Sequence, residues 1–443
     1  MSNKSLQTRI SEREATIGVI GLGYVGLPLS LAFADAGFDV QGFDIDEFRV
    51  GELRDGRSYV DDVSDDELAQ GFDRGFQPSV ESNTIANCDV YVVAVPTDMA
   101  GGEPDMSAVQ TAAETVAEQS SDRETLVVVS STVYPGATNE VVEPIVATNR
   151  TTPIHLAMVP ERLNPGGDHE FTDIPLVVGA DTEPARRTAR TLFDTVVVET
   201  HPVESTETAE LTKTLENTYR MVNIALVNEL ITLAEGLRAN VWEAIDAAAT
   251  KPFGFQAFHP GPGVGGHCIP IDPQFLSWRA KDIGTDVSFL NDAHQINERM
   301  PEFVADRLET LLRARGVAIE EATIVALGAA YKPNVGDTRN SPALRVVERL
   351  PETTDVTVID PHTDATNVAR RLVASPADVD IKAADATVLL VDHDAFDLHA
   401  VGDRADFVFD TRNTMPEDVT ATVITLGELS NDAQQKRRHD APL

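Results

Sequence analysis

Hydrophobic and polar positions fall into repeating blocks in the N-terminal part of the chain. Short apolar runs end in turns and are followed by longer stretches with helical spacing. The run up to Ile20 has the composition of a buried strand, Leu27 to Ala36 has helical spacing, and Val40 to Phe43 begins a second strand. Further strands are predicted at "VYVVAVP", "TLVVVSST" and "HLAMVP", with helical stretches between them. Such alternation implies a parallel sheet covered on both faces.

The pattern changes from about Glu204. The segment "STETAELTKTLENTYRMVNIALVNELITLAEGLRANVWEAIDAAA" has no proline, and no glycine before Gly236. Its helical periodicity outlasts an average helix and predicts one long helix or two abutting ones. Such an element is long enough to tie two domains together and to build a dimer. A loop rich in glycine and proline, "GPGVGGHCIPID" (Gly261 to Asp272), follows, and more helix is predicted from Pro273 to Arg315. A second strand–helix alternation begins at "ATIVALGAAYKPN" and continues through "VTVIDPH", "ATVLLVDH" and "FVFDTRN". The expected fold class is therefore α/β, with two Rossmann-like doubly wound domains joined by a central helical domain. The boundaries predicted are 1–203, 204–316 and 317–429, followed by a polar tail, 430–443, expected to be disordered.

Composition narrows the class. Acidic residues outnumber basic ones 72 to 35, for a formal net charge of −37. The acids are spread along the chain, so the whole surface disfavours nucleic acid and anionic membrane, which it would repel. Such a surface suits a halophilic protein that must stay hydrated in concentrated salt, where screening removes most self-repulsion. There is no run of about 18 uncharged apolar residues, and the N-terminus is polar, so neither a membrane span nor a signal peptide is expected. The two cysteines, Cys88 and Cys268, cannot build a disulfide framework or a structural zinc site. A cytoplasmic protein without a metal is expected.

Candidate chemistry comes from motif and position. Gly21, Gly23 and Gly26 form G-x-G-x-x-G between a strand and a helix, a spacing that lets backbone approach a pyrophosphate. Asp44 follows at the distance of a ribose-binding acid and favours NAD over NADP, with Arg49 close enough to soften that preference. Pro96, Thr97 and Thr132 lie at strand ends, where they serve either as ligand contacts or as turn caps. Lys213, Asn217 and Arg220 share one helical face, with Asn223 and Asn228 further along. Cys88, at a strand entrance, fits a small buried hydrophobe. Cys268 does not, because a glycine loop exposes amide groups that stabilise thiolate and oxyanion alike. Asp272 is placed to hold a water or order that loop, and His267 to pack it. A nicotinamide site together with a nucleophilic cysteine points to two successive oxidations. Alcohol becomes aldehyde, the thiolate traps it, a second hydride leaves, and water releases an acid.

These residues resemble the nucleotide-sugar dehydrogenase family, comprising UDP-glucose dehydrogenases and, more closely, UDP-N-acetylhexosamine 6-dehydrogenases. The resemblance runs in order through "GLGYVGLP", "VAVPTD", "SSTVYPG", "VPERLNPG", "AELTKTLENTYRMVNIALVNE", "GPGVGGHCIPIDP" and "LGAAYKPNVGDTRNSP". It implies that Cys268 is the nucleophile, Lys213 the acid/base or oxyanion-stabilising group, and Asn217 its partner. Asp272 and Thr132 are similar to residues holding the hydrolytic water, and Thr132 also adjoins the cofactor. Tyr24, Val25, Asp44, Arg49 and Thr97 match NAD contacts alongside the three glycines. Glu161, Arg162, Leu163, Arg220, His259 and Gly265 lie where the family grips the sugar nucleotide, Glu161 within the catalytic set. Tyr331, Lys332 and Arg412 match nucleotide contacts from the C-terminal domain, and Arg339 a contact reaching the cofactor. Departures also inform. Pro165 stands where UDP-glucose dehydrogenases carry glutamate and Ile271 where they carry lysine, both as in the N-acetylhexosamine branch; Asp98 and Ser131 depart from the commoner residues. The resemblance implies a homodimer that oxidises UDP-ManNAc or UDP-GlcNAc at C6. UDP-glucose oxidation, a two-electron 3-hydroxyacid dehydrogenase and a non-catalytic sugar-nucleotide sensor are the alternatives.

Overall fold

The computed structural model describes residues 4–428 apart from 61, 164–166, 168–170, 235, 238 and 365–367. The expected tail and Pro165 fall outside the described residues. Sixteen strands are assigned among them. The first group is β1 (Thr16–Ile20), β2 (Asp39–Phe43), β3 (Phe76–Ser79), β4 (Val90–Val93), a small hairpin β5 (Asp98–Ala100) and β6 (Glu103–Asp105), β7 (Thr125–Val129), β8 (Ile154–Met158), β9 (Leu176–Gly179) and β10 (Thr200–Val203). The second is β11 (Thr323–Leu327), β12 (Asp355–Ile359), β13 (Arg371–Val373), β14 (Ala386–Leu389), β15 (Phe407–Asp410) and β16 (Thr422–Thr425).

The first sheet runs β10-β9-β8-β7-β4-β1-β2-β3 and the second β13-β12-β11-β14-β15-β16. The second, and the first as far as β8, have the doubly wound order, with the reversal beside the first strand of each. The central strands explain themselves: every residue of β4 (VYVV) and β7 (TLVVV) is buried, as parallel strands covered on both faces require. One expectation is corrected. The first sheet is not wholly parallel, because β9 pairs antiparallel with β8 and β10 follows β9 in parallel. Among the described residues between β8 and β9 no α-helix is assigned, only a short 3-10 turn, Phe171–Asp173.

The helical part departs from expectation in one place, at Cys268. Thr206–Ala234 is a single helix of 29 residues, and Asn240 caps a separate short one, Val241–Ala249. The next helix is Cys268–Asp282, so Cys268 opens a helix rather than lying within a loop. Pro270 stands in its first turn, where backbone amides have no intrahelical acceptor to lose. Gly284 (φ +75°) follows the end of this helix, and Ser288–Ala314 begins beyond it.

The chain divides into two compact units. One takes the chain up to Asn217 together with Ile271–Asp286; the other takes Thr218–Pro270 together with the chain from Val287. Each holds one sheet with its own core, around Phe33, Phe193 and Val128 in the first and Leu308, Ala326 and Phe409 in the second. Among the described residues no helix is long and apolar enough to cross a membrane.

Candidate active site

Strand ends at the carboxyl edge of the first sheet deliver the N-terminal candidates, as the switch-point rule anticipates. Gly21 takes φ +91°, and a Cβ on Gly26 would strike the Gly21 carbonyl, so two motif glycines are fixed by the turn and by helix packing. Gly23 differs: a Cβ there would meet only Arg49, at 3.9 Å, which leaves the backbone open to a ligand. Tyr24 is exposed there, and Val25 precedes the helix Gly26–Asp35. Asp44 follows β2 and is 6% exposed; its carboxylate accepts from Leu22 N at 2.7 Å and Asp46 N at 2.9 Å, and Arg49 lies 3.7 Å away. Glycine turn, open backbone and buried acid together fit NAD.

Tyr59 belongs to this cluster and was not anticipated. Its hydroxyl donates to the Leu22 carbonyl, and the Arg49 guanidinium lies 5.8 Å from its ring centroid. Burial, and then the Asp44 charge, raise its phenol well above the usual value. No sequence signal marks it, since it lies outside the strand–turn–helix unit.

The neighbouring strand ends are tied to each other. The Thr97 hydroxyl donates to the Thr132 carbonyl at 2.6 Å, so Thr97 acts at least as a clamp on Thr132. Ser131, a departure from the family pattern, accepts from Val95 N at 2.9 Å and donates to Val95 O at 2.8 Å, joining the ends of β4 and β7. Glu161, Arg162 and Leu163 follow β8. Arg162 forks onto Glu216, at 3.3 and 2.5 Å, and donates to Pro175 O at 2.6 Å. Leu163 lines a cavity with Pro28, Leu31 and Phe171.

The long helix turns one polar face inward. Glu210, Lys213 and Asn217 are buried, at 0%, 5% and 0% exposure, on a face that also buries Asn228 further along the helix. Spacings of three and four put them one above another. The Lys213 ammonium donates to Glu161 O at 2.6 Å and lies 3.4 Å from Glu161 Oε2. Asn217 Nδ2 donates to Asp272 Oδ2, and Asp272 is 1% exposed. Cys268 stands one turn before Asp272 on the same helix and is exposed. Glu210 was missed, although "AELTKTLEN" spaces it on the same face as Lys213. It accepts from Gly136 N at 2.5 Å, Thr138 N at 2.8 Å and Thr138 Oγ1 at 2.6 Å, fastening the "STVYPGAT" segment to the helix. Burial raises its carboxyl pKa, and those donors pull the other way.

The second unit holds the remaining candidates. Arg220 is half-buried, and Asn223 bonds back to Tyr219 O at 2.7 Å within its own helix. Asn228 is structural: Nδ2 donates to Asn297 at 3.0 Å while Oδ1 accepts from Gly261 N at 3.0 Å, pinning the start of the glycine loop. That loop owes its glycines to close packing, not to openness as its composition suggested. A Cβ on Gly265 would meet Pro342, Asn340 and Tyr331 at 2.6–2.8 Å, and one on Gly261 would meet Arg412 at 2.8 Å. Gly266 N donates to Arg339 O at 2.9 Å. The His259 ring stacks on Trp242 with 6.1 Å between centroids. Tyr331 and Lys332 follow β11, with the Lys332 ammonium 5.6 Å from the Tyr331 ring centroid. Arg339 forks onto Asp337, and Arg412 donates to Asp392 at 3.0 Å. Loop packing thus brings His259, Gly265, Tyr331, Lys332, Arg339 and Arg412 into one unit with Cys268. Cys88 is buried, and burial, then Asp89, push its thiol up to about 12, as suits an inert packing residue. Among the described residues no cluster of three or more His, Cys, Asp or Glu could hold a metal ion.

Comparison with known proteins accounts for nearly the whole chain. Family models of the UDP-glucose/GDP-mannose dehydrogenase family match in series: the NAD binding domain over residues 15–197, the central domain over 207–299 and the UDP binding domain over 325–417. A UDP-N-acetyl-D-mannosamine dehydrogenase of Pyrococcus horikoshii is 35% identical, covering 90% of this chain and 96% of its own. A UDP-N-acetyl-D-glucosamine 6-dehydrogenase of Salmonella typhi is 32% identical, with 91% and 97% covered. The solved structure of a UDP-D-ManNAc dehydrogenase from Pyrococcus horikoshii superposes with a TM-score of 0.84 at 33% identity, covering 93% of this chain and 99% of that one. With a glycine turn and buried acid that fit NAD, and three consecutive domain models matched, this chain belongs to the UDP-glucose/GDP-mannose dehydrogenase family of NAD-dependent oxidoreductases.

Proposed function

We propose that the protein oxidises a UDP-N-acetylhexosamine, UDP-ManNAc or UDP-GlcNAc, at C6 to the uronic acid, consuming two NAD per sugar. The observation that carries this reading is that Lys213 is held by Glu161 and Asn217 is bonded to Asp272, all of them withdrawn from water, with the exposed Cys268 one turn before Asp272. Relatives named for both sugars, and Pro165 and Ile271, support the N-acetylhexosamine over glucose. NAD, when bound, supplies the hydride acceptor. Cys268, at a helix start where amide groups favour negative charge, adds as thiolate to the aldehyde carbon and afterwards carries the acyl group as a thioester. Lys213 steadies the oxygen on which charge develops and exchanges its proton. Asp272, oriented by Asn217, and Thr132 hold the water that attacks the thioester. Domains 1–203, 204–316 and 317–429 take NAD, the cysteine helix and UDP respectively, a division supported by the order of the matched models.

The test supplies UDP-ManNAc, UDP-GlcNAc and UDP-glucose separately and counts NADH per sugar consumed. Two NADH per N-acetylhexosamine are expected, with UDP-glucose slower by about tenfold or more in kcat/KM. One NADH, or preference for UDP-glucose, would overturn the assignment.

The reading includes a homodimer in the cytoplasm. Leu215, Tyr219, Leu226, Leu230 and Leu233 are 39–58% exposed and form a stripe along the long helix, the kind of surface a soluble chain covers with a second copy. Joint Leu226→Asp and Leu230→Asp substitution is expected to halve the mass seen by light scattering, and an unchanged mass would remove this assignment. It also includes adaptation to salt. With a net charge of −37, activity and thermal midpoint are expected to fall on dilution from about 2 M to about 0.1 M salt, as repulsion is unscreened. Equal stability in both would count against it.

A further inference from the structure

The two sheets use one device in two ways. In each, the first strand runs into a left-handed glycine, Gly21 (φ +91°) or Gly328 (φ +96°). The paired second strand is followed by an aspartate that accepts the next backbone amide: Leu22 N to Asp44 at 2.7 Å, Ala329 N to Asp360 at 2.7 Å. Beyond that the two diverge. Asp360 is wholly buried and accepts in addition from Ala330 N at 3.0 Å, His362 N at 2.9 Å, Thr363 N at 3.1 Å and His393 Nε2 at 3.1 Å. Five donors exhaust the lone-pair sites of a carboxylate, so Asp360 has none to offer a ribose diol. Burial alone would raise its pKa, but His393 and the amides together hold it well below the usual carboxylate range.

His393 is the group that converts the device. It follows β14 and is 2% exposed. Its Nδ1 accepts from Asn334 N at 3.0 Å, which leaves Nε2 as the ring nitrogen that donates to Asp360. Asn334, in a left-handed conformation (φ +61°), adds two bonds to Asp394: Nδ2 donates at 2.8 Å and Oδ1 accepts from Asp394 N at 2.9 Å. The Asp360–His393 pair thus fixes the chain at Ala330 on one side and at Asn334 on the other. The residues between those anchors are Tyr331, Lys332 and Pro333.

We propose that His393 is a positioning residue for nucleotide binding, holding the 330–334 segment so that Tyr331 and Lys332 meet a uridine diphosphate in one fixed geometry. This rests on Tyr331 and Lys332 being nucleotide contacts. A segment anchored at both ends loses little freedom when the ligand arrives, whereas a loosened one must be ordered at the expense of affinity.

The test measures binding of UDP alone, and of NAD, to the full chain by titration calorimetry. His393→Ala is expected to weaken UDP by about tenfold while NAD stays within about twofold. His393→Asn, which restores an acceptor toward Asn334 N, is expected to recover most of the UDP affinity. If folded His393→Ala binds UDP like the wild type, or the Asn variant binds as weakly as the Ala variant, the proposal falls. Should His393→Ala not fold, His393→Phe decides: it fills the space but offers Asn334 N no acceptor, and UDP affinity unchanged in it overturns the proposal. A wild type that binds no UDP at millimolar concentration sinks the nucleotide reading and this proposal together, whereas equal tight binding by wild type and variant sinks this proposal alone.

Discussion

Cys268→Ser is expected to lower acid formation by about a thousandfold. Serine has nearly the same size, and the site is the exposed first residue of a helix, so stability should change by no more than about 0.5 kcal/mol. What changes is the nucleophile. A thiol at neutral pH yields a usable fraction of thiolate of high intrinsic reactivity, while an alkyl hydroxyl does not unless a base activates it. The first oxidation, alcohol to aldehyde, needs no bond to the enzyme, so the variant should still make NADH in amounts no greater than one per sugar, with aldehyde or its hydrate as product. Wild-type enzyme quenched in mid-turnover should carry a UDP-sugar acyl group on Cys268, detectable by mass spectrometry of the peptide. Equal acid yields from variant and wild type, or acid without an acylated sulfur, would remove the covalent route.

The parts of this site that could be foreseen are those written in local spacing. Gly21, Gly23, Gly26 and Asp44 lie within one strand–turn–helix–strand unit, where turn chemistry and periodicity act over a few residues. Lys213 and Asn217 could be grouped because a helix has a fixed repeat, and the same repeat would have yielded Glu210. Its partner loop was beyond reach, since Gly136 lies 74 residues away, as was the bond between Asn217 and Asp272 across 55. Strands β3 and β10 escaped because each contains a proline, Pro78 and Pro202, which argues against a strand unless it lies at a sheet edge. Both are edge strands. Cys268 reads as a loop residue for a related reason: proline in the first turn of a helix looks, in sequence, like the end of one. The glycines before it signalled an open loop, but close approach to Tyr331, Asn340 and Pro342 demands glycine equally well. Composition alone does not separate the two.

Lys213→Met is expected to lower kcat by about a hundredfold to ten-thousandfold, the range for loss of a positioned proton donor or oxyanion partner. The difficulty is that Lys213 also binds Glu161, through the main-chain oxygen at 2.6 Å and Oε2 at 3.4 Å, with both side chains largely withdrawn from water. Removing the ammonium takes the Lys213 ion pair away from the Glu161 carboxylate, and breaking a buried pair from one side destabilises by about 3–5 kcal/mol. A slow variant could therefore be slow because the segment after β8 has shifted. Adding Glu161→Gln separates the two effects. The double variant removes the carboxylate's charge together with the ammonium, so most of the stability should return, measured by denaturant midpoint. If the ammonium acts on the reacting oxygen, kcat in the double variant stays well below that of Glu161→Gln alone although the fold is restored. If its role is only to hold Glu161, rate and stability recover together, and the chemical role assigned to Lys213 is lost.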